Sequence, residues 1–248
     1  MANRPVFIPC ESGDQLVQEK SVSFLWHPGM APSQKKKNVI AIHESAKGLG
    51  IAPVLEVSTK SEERLGLCLS AFNLKVETTE GWAIPLESAF QGSKVFQLGG
   101  PYQDLYGKSG FEVKKDERLK TSGCLRGFRF DGLEWELEPK TAFYDWLYIH
   151  AVHRETELQD ALYKYKGFTD IEFNPMKSIN CQARSCALYV SLFRRQVLSD
   201  ILRDRQAFLG VLNRDSFYQP HSIDKRQGTL FKIDDENTYP LPNMKSHK

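Results

Sequence analysis

The first third of the chain places its apolar residues in short runs, each followed by a turn signal. Residues 6–8 precede Pro9, and residues 21–26 precede the turn signal His27-Pro28-Gly29. Residues 53–58 have the same character. These three segments are predicted to be strands. Residues 39–42 fit either a strand or the start of a helix that Gly48 ends.

Two later segments have the length and pattern of helices. Residues 85–96 begin with Pro85, which suits a first helical turn, and are followed by a Gly-Gly-Pro stop at 99–101. Residues 143–165 predict a longer helix. An interruption is expected near Glu155-Thr156, where a threonine can cap a new helix.

The last part of the chain predicts a strand over residues 168–173 and then a helix that opens at Ser178 or Asn180 and extends toward Leu212. Helices and strands are interspersed without strict βαβ alternation, which predicts an α+β fold, mostly helical around a small sheet. A single compact domain is expected over residues 1–218. Residues 219–248 are polar, contain three prolines and predict a loosely packed tail.

Composition narrows the functional classes. The chain is 41% hydrophobic and 26% charged, which is typical of globular domains. A net charge of +2 means that any nucleic-acid binding needs a local basic face. No apolar run approaches the roughly 20 residues of a membrane span, so no membrane partner is expected. The five cysteines are scattered without a CxxC pair, which indicates reduced thiols and a cytoplasmic protein.

Three polar residues in the predicted helix over 85–96 form the most informative pattern. Glu87, Gln91 and Lys94 lie at i, i+4 and i+7 and share one stripe. Apolar or small residues occupy the other positions, and a helix of that kind is usually buried. A buried stripe must satisfy its polar groups internally or face a cavity. The alternative is an ordinary solvent-facing row on a half-exposed helix.

Two blocks that contain these residues resemble the NADAR family, named for its association with NAD and ADP-ribose. The first is Leu69-Ser-Ala-Phe-Asn73, followed by Pro85-Leu-Glu-Ser-Ala-Phe-Gln-Gly-Ser-Lys94. It is similar to a family pattern in which an S-N-F-type strand end precedes E-H-x-F-Q-x-x-K. The second begins at Ile179-Asn180 and resembles G-x-N-x-L-G-x-x-L-M-x-x-R, with Arg194 or Arg195 as the closing arginine.

The resemblance implies a core over about residues 54–212, and the chain departs from the family pattern at three points. Ser88 stands where the family has histidine, and Ala183 where it has the late glycine. Residues 173–175 contain no tryptophan-glycine pair.

The same resemblance implies an N-glycosidase-type hydrolase that acts on an ADP-ribosyl or nucleotide-like substrate, for example ADP-ribose on a guanine base. Glu87 would act as a general acid or face the developing sugar cation. Lys94, desolvated in a pocket, would attack as an amine and form a Schiff base. No cofactor is expected. No metal is expected either, because no acid completes a metal-binding pattern with His150 and His153.

The remaining candidates would bind substrate. Gln91 would orient a ribose hydroxyl, and Asn180 would help to hold a phosphate oxygen at a helix start. Asp170 is a second acid candidate. Asn73 belongs to the first matching block, and the backbone of Gly99 and Gly100 follows the predicted helix closely enough to contact a ligand.

Two further functions stay open at this point. The same pocket would serve a non-enzymatic nucleotide or ADP-ribose sensor. Residues 108–129 are basic and interleaved with aromatic residues, which would suit an accessory factor that binds nucleic acid or the strand carrying a modified base. Glu112, Asp116 and Glu117 dilute that charge, which favours a solvated loop over a binding surface.

Overall fold

A computed structural model describes residues 1–219, which contain nine strands and ten α-helices. The strands are β1 (Ala2–Pro9), β2 (Val17–Phe24), β3 (Val54–Glu56), β4 (Lys75–Glu77), β5 (Ala83–Pro85), β6 (Lys94–Phe96), β7 (Leu125–Phe130), β8 (Leu133–Trp135) and β9 (Gly167–Thr169). The helices are α1 (Pro32–Gly48), α2 (Arg64–Cys68), α3 (Leu86–Gly92), α4 (Gly110–Val113), α5 (Arg118–Thr121), α6 (Ala142–Arg154), α7 (Thr156–Leu162), α8 (Gln182–Arg194), α9 (Leu198–Arg203) and α10 (Arg205–Leu212). The predicted α+β class is confirmed. The predicted tail lies almost wholly outside the described residues.

The largest sheet has the strand order β2-β1-β9-β3. Strands β1 and β2 form a long antiparallel hairpin. Strand β9 pairs antiparallel with β1 at Phe7 and Phe168, and parallel with β3 along its whole length. The sheet therefore brings residues 54–56 beside residues 167–169, and the segments that follow both strands leave at the same edge.

Two smaller sheets and two buried helices complete the core. Strands β4 and β5 form one hairpin, and β6-β7-β8 form an antiparallel sheet. Helix α8 buries every residue from Ala183 to Leu192, and α6 buries most of its length against it. The short helix α3 packs on α6, so its polar side chains are held at the edge of the main core.

Helix α3 is shorter than the sequence predicts. It ends at Gly92, and the chain enters β6 at Lys94. The Ser93 hydroxyl donates to the Ala89 carbonyl over 2.6 Å, while the Ser93 carbonyl accepts from the Arg129 N–H at 2.7 Å. The helix ends at this point because strand β7 supplies backbone hydrogen-bond partners that a longer helix could not use.

The other element boundaries agree with the predictions in part. The strand over residues 6–8 lies within β1, the strand predicted over residues 53–58 is limited to Val54–Glu56, and β2 starts and ends earlier than residues 21–26. Residues 39–42 belong to helix α1, and the interruption at Glu155 separates α6 from α7. The strand predicted over residues 168–173 ends at Thr169.

The late helix is also broken where the sequence predicts continuity. Helix α8 starts at Gln182 and ends at Arg194, before Gln196 adopts a positive φ of 60°. The short helix α9 follows, and α10 starts as a separate helix after it. The Asp204 carboxylate caps α10 by accepting from the Gln206 N–H at 2.7 Å. No helix within residues 1–219 is long and apolar enough to cross a membrane.

Candidate functional site

A polar cavity of about 410 Å³ opens where α3, α4 and the segments after β3 and β9 meet. Its wall contains four of the sequence-predicted site residues, which are Glu87, Gln91, Asp170 and Asn180. The structure thus brings together residues that are up to 93 positions apart in the chain.

Glu87 is the acid on the α3 side of this cavity. It is 5% exposed and accepts a hydrogen bond from the Gln91 side-chain amide over 2.9 Å. The Lys114 ammonium lies 3.4 Å from its Oε1. A buried carboxylate with one amide donor and one partly exposed cation is positioned tightly and stays within reach of a ligand.

Lys94 lies on strand β6 instead of the predicted helical stripe, and it is not among the residues that line the polar cavity. Its Nζ is 5.1 Å from the centroid of Phe90, whose ring is part of the cavity wall. Burial lowers the pKa of Lys94 to about 8, although the nearby Glu87 carboxylate opposes that shift and Lys114 reinforces it. The predicted proximity of Lys94 and Glu87 is thus present despite the different secondary structure.

Two acceptor atoms in the cavity wall are buried without a hydrogen-bond partner. They are Oε1 of Gln91 and Oδ1 of Asn180. A buried carbonyl oxygen without a partner costs free energy, so such atoms mark a place where a ligand can donate hydrogen bonds. A ribose hydroxyl suits both atoms. For Asn180, an acceptor oxygen suits a hydroxyl or amino group better than the phosphate oxygen that the resemblance implies.

Asp170 forms the opposite wall. It accepts from the Gln182 side-chain amide over 3.0 Å, and the Gln182 carbonyl oxygen in turn accepts from the Ala71 N–H at 2.8 Å. Burial raises the pKa of Asp170 to about 6, against the hydrogen bonds that it accepts. An acid with this pKa is partly protonated near neutral pH and can donate as well as accept.

Glu56 is a buried acid behind Asp170 that the sequence analysis did not single out. It accepts from the hydroxyls of Ser58 (2.6 Å) and Thr169 (2.7 Å) and from the Ile171 N–H (2.9 Å). Burial, reinforced by the charge of Asp170, raises its pKa to about 8. The sequence did contain a signal for this site, because Glu56 is a carboxylate within the apolar predicted strand over residues 53–58.

A histidine continues this buried network. The His43 Nε2 lies 2.9 Å from the Thr169 hydroxyl oxygen. Burial lowers the pKa of His43 to about 4, although Glu63 acts in the opposite direction. The imidazole is therefore neutral at physiological pH, and no full positive charge compensates Glu56 from this side.

The other three predicted binding residues do not line the cavity. The Asn73 side chain is exposed and donates to the Leu67 carbonyl over 2.7 Å. Gly99 accepts from the Phe96 N–H at 2.7 Å. Gly100 has a φ of 84°, and a Cβ there would lie 2.1 Å from the Lys94 carbonyl oxygen. These two glycines shape the turn beside Lys94.

An apolar cavity of about 440 Å³ adjoins the polar one. Phe90, Tyr144 and Asn180 belong to the walls of both cavities. The apolar cavity is walled further by Phe128 and Phe143, which stack with ring centroids 4.7 Å apart. The pair of cavities is suited to a ligand that joins a polar sugar to a planar ring.

Comparison with known families identifies the chain. The sequence profile of the DarT1-associated NADAR antitoxins matches residues 2–222. The chain belongs to this family. The resemblance seen in the sequence is thereby confirmed. The NADAR family is broadly associated with N-glycosidase-like activity and with ADP-ribose or related nucleotides. No curated protein matches the chain significantly.

Proposed function

We propose that this NADAR protein is an N-glycosidase that removes an ADP-ribosyl group from a nucleobase. The observation that carries the proposal is a buried carboxylate, Glu87, in the wall of a cavity with two unpartnered acceptors, together with the buried Lys94 that it influences electrostatically. The family's broad association with N-glycosidase-like activity supports the same chemistry.

Lys94 supplies the nucleophile in this proposal. With a pKa of about 8, roughly a tenth of its side chains are neutral at pH 7. The amine attacks the ribose carbon as the carbon–nitrogen bond to the base breaks, and the bonding electrons leave with the base. Opening of the ribose ring gives an imine, and water then hydrolyses the imine to release ADP-ribose and restore the amine.

Glu87 and Asp170 divide the proton transfers and the charge stabilisation. Glu87 interacts electrostatically with Lys94 and would face the positive charge that develops on the sugar. Asp170, with a pKa of about 6, is suited to protonate the departing nitrogen. The unpartnered oxygens of Gln91 and Asn180 accept from ribose hydroxyls.

The biological context follows from the family description. Its members are antitoxins associated with DarT1. We propose that this protein reverses a modification made by its associated toxin. The two cavities together would accept the sugar in the polar part and a planar ring in the apolar part.

The test uses the full chain and an oligonucleotide that carries an ADP-ribosylated guanine. We expect the protein to release ADP-ribose, measured by chromatography, and sodium borohydride to trap a covalent adduct that mass spectrometry assigns to Lys94. Glu87→Gln should slow release by about 10²-fold or more while retaining thermal stabilisation by ADP-ribose.

Two outcomes would contradict the proposal. Stabilisation by ADP-ribose without release of any product would show a sensor instead of an enzyme. Unchanged release and trapping in Lys94→Met would exclude Lys94 as the nucleophile.

A further inference from the structure

A large aromatic ring is exposed at the mouth of the polar cavity. Phe111 is 63% exposed, yet its ring stacks on that of Phe72 with centroids 4.6 Å apart and an interplanar angle of 23°. Both rings line the cavity. Since Phe72 covers part of the ring, the remaining surface of Phe111 faces solvent next to the entrance.

Helix α4 holds the backbone of Phe111 in a defined position. Ser109 and Glu112 form a reciprocal capping box at the start of α4. Gly110 lies so close to α3 that a Cβ there would be 2.9 Å from the Phe72 ring and 3.0 Å from the Glu87 Cβ. Helix α4 therefore presents Phe111 at a fixed distance from Glu87.

Positive charge borders the stacked pair on the α4 side. The Lys114 Nζ lies 4.6 Å from the Phe72 ring centroid, and Lys115 is exposed on the next residue. Residues 108–115 contain three lysines and a single acid, Glu112, and of the lysines Lys108 lies 4.0 Å from Asp104 and 3.8 Å from Asp116. A planar, uncharged face bordered by cations is complementary to a base attached to phosphates.

We propose that Phe111 and Phe72 form a stacking platform for an unmodified base of a single strand, next to the modified nucleotide whose sugar enters the cavity. Lys114 and Lys115 lie near the phosphates on either side of that base. This inference rests on the proposed function only for the identity of the neighbouring nucleotide. The platform would bind bases without regard to sequence, because every base has a face that can stack.

Binding of unmodified strands tests the platform without any catalysis. The probes are fluorescein-labelled 12-residue single strands of DNA and of RNA, titrated with the full chain and followed by anisotropy. Phe111→Ala should bind about fivefold or more weakly, and Phe111→Trp should restore affinity. The control is Trp82→Ala, which removes a ring 67% exposed on the β4–β5 hairpin and should bind as the wild type does.

The salt dependence separates stacking from charge. Phe111→Ala should keep the wild-type slope of affinity against salt, because the phosphate contacts remain, whereas Lys115→Ala should reduce that slope. Wild-type affinity in Phe111→Ala, or the absence of binding by the wild type to both strands, would overturn the platform.

A kinetic comparison distinguishes this inference from the proposed function. With an ADP-ribosylated oligonucleotide, Phe111→Ala should lose about fivefold or more in kcat/KM beyond any loss with the free ADP-ribosylated nucleoside. If Phe111→Ala lost the same factor in kcat/KM on the oligonucleotide and on the free nucleoside, Phe111 would contact the modified base itself, and the proposed site for a neighbouring base would be refuted. Phe111-dependent strand binding in a protein with no glycosidase activity would retain the platform and reject the enzyme.

Discussion

Individual side chains in and around this site differ from their ordinary acid–base behaviour chiefly because burial removes them from water. Lys94 has a lowered pKa, and Asp170 and Glu56 have raised ones. The three groups are all nearer to neutrality than exposed groups of the same type, which reduces the cost of burying them. The same property makes them suited to proton transfer near pH 7.

The amine mechanism predicts a specific pH dependence. Only neutral Lys94 can attack and only protonated Asp170 can donate, so kcat/KM should rise up to about pH 6, stay level between about pH 6 and pH 8, and fall above that range. Lys94→Arg keeps a positive charge that cannot be lost at these pH values, so its release of ADP-ribose should fall by about 10³-fold or more. A Lys94→Arg protein with a wild-type rate would contradict this role.

Glu56 predicts a pH dependence of stability. Its pKa is raised from 4.5 to about 8 by burial, so the stability contributed by its protonated form is present below pH 4.5 and is lost as the pH rises through about 8. Glu56→Gln stays neutral. Relative to that variant, the wild type should lose about 3 kcal/mol in its free energy of unfolding between pH 5 and pH 8.

Urea denaturation at several pH values measures this difference. Ser58→Ala provides a comparison, because it removes a hydrogen-bond donor to Glu56 and leaves the titrating carboxylate in place. If the wild type and Glu56→Gln keep parallel stability profiles between pH 5 and pH 8, Glu56 does not titrate in that range.

Short elements set the geometry of the site, and their boundaries were the hardest feature to predict. Apolar spacing correctly indicated a helix around Glu87. It could not show that the backbone after Gly92 would pair with strand β7 instead of continuing the helix. Lys94 nevertheless stays near Glu87, since the strand leaves directly from the end of the helix. The acid at residue 56 was missed because its partners are brought by the pairing of β3 with β9.

The close contact of α4 with α3 predicts a sharp difference between two glycines. A methyl group at Gly110 would meet the Phe72 ring and Glu87 at 2.9–3.1 Å, whereas one at Gly107 would meet nothing within 4 Å. Gly110→Ala should displace α4, destabilise the protein by about 1–3 kcal/mol and lower the rate of glycosidic cleavage. Gly107→Ala should leave both unchanged. Thermal unfolding and kinetics on the paired variants test this, and equal effects would show that α4 adapts freely.

At the scale of the whole molecule, a buried ionic network connects distant parts of the described chain. The Tyr218 hydroxyl accepts from Arg184 at 2.7 Å and donates to Asp145 at 2.9 Å, which joins residues near position 218 to α8 and α6. Asp215 accepts from the Leu16 N–H at 2.8 Å and so reaches the connection between β1 and β2. Sequence patterns predicted the α+β class, whereas this network depends on tertiary contacts.

Removal of one hydroxyl from this network should be costly. Tyr218→Phe leaves Arg184 and Asp145 buried with fewer partners, and the free energy of unfolding should fall by about 2–3 kcal/mol. Tyr148→Phe, which loses a 2.8 Å hydrogen bond to the Leu69 carbonyl and a weak one with the Cys186 thiol but no charged partner, should cost about 1 kcal/mol. Urea denaturation compares the two, and a smaller loss in Tyr218→Phe would contradict the importance of its charged partners.

The strand order of the largest sheet has a consequence for how the molecule reaches its native state. Strand β1 meets β9 only after the chain has closed a loop from Phe7 to Phe168, and such long-range closure slows folding. Because Asp170 follows β9 directly, the polar cavity is completed after that closure. A nascent chain that lacks β9 would therefore have no assembled cavity, and the candidate site would form late in folding.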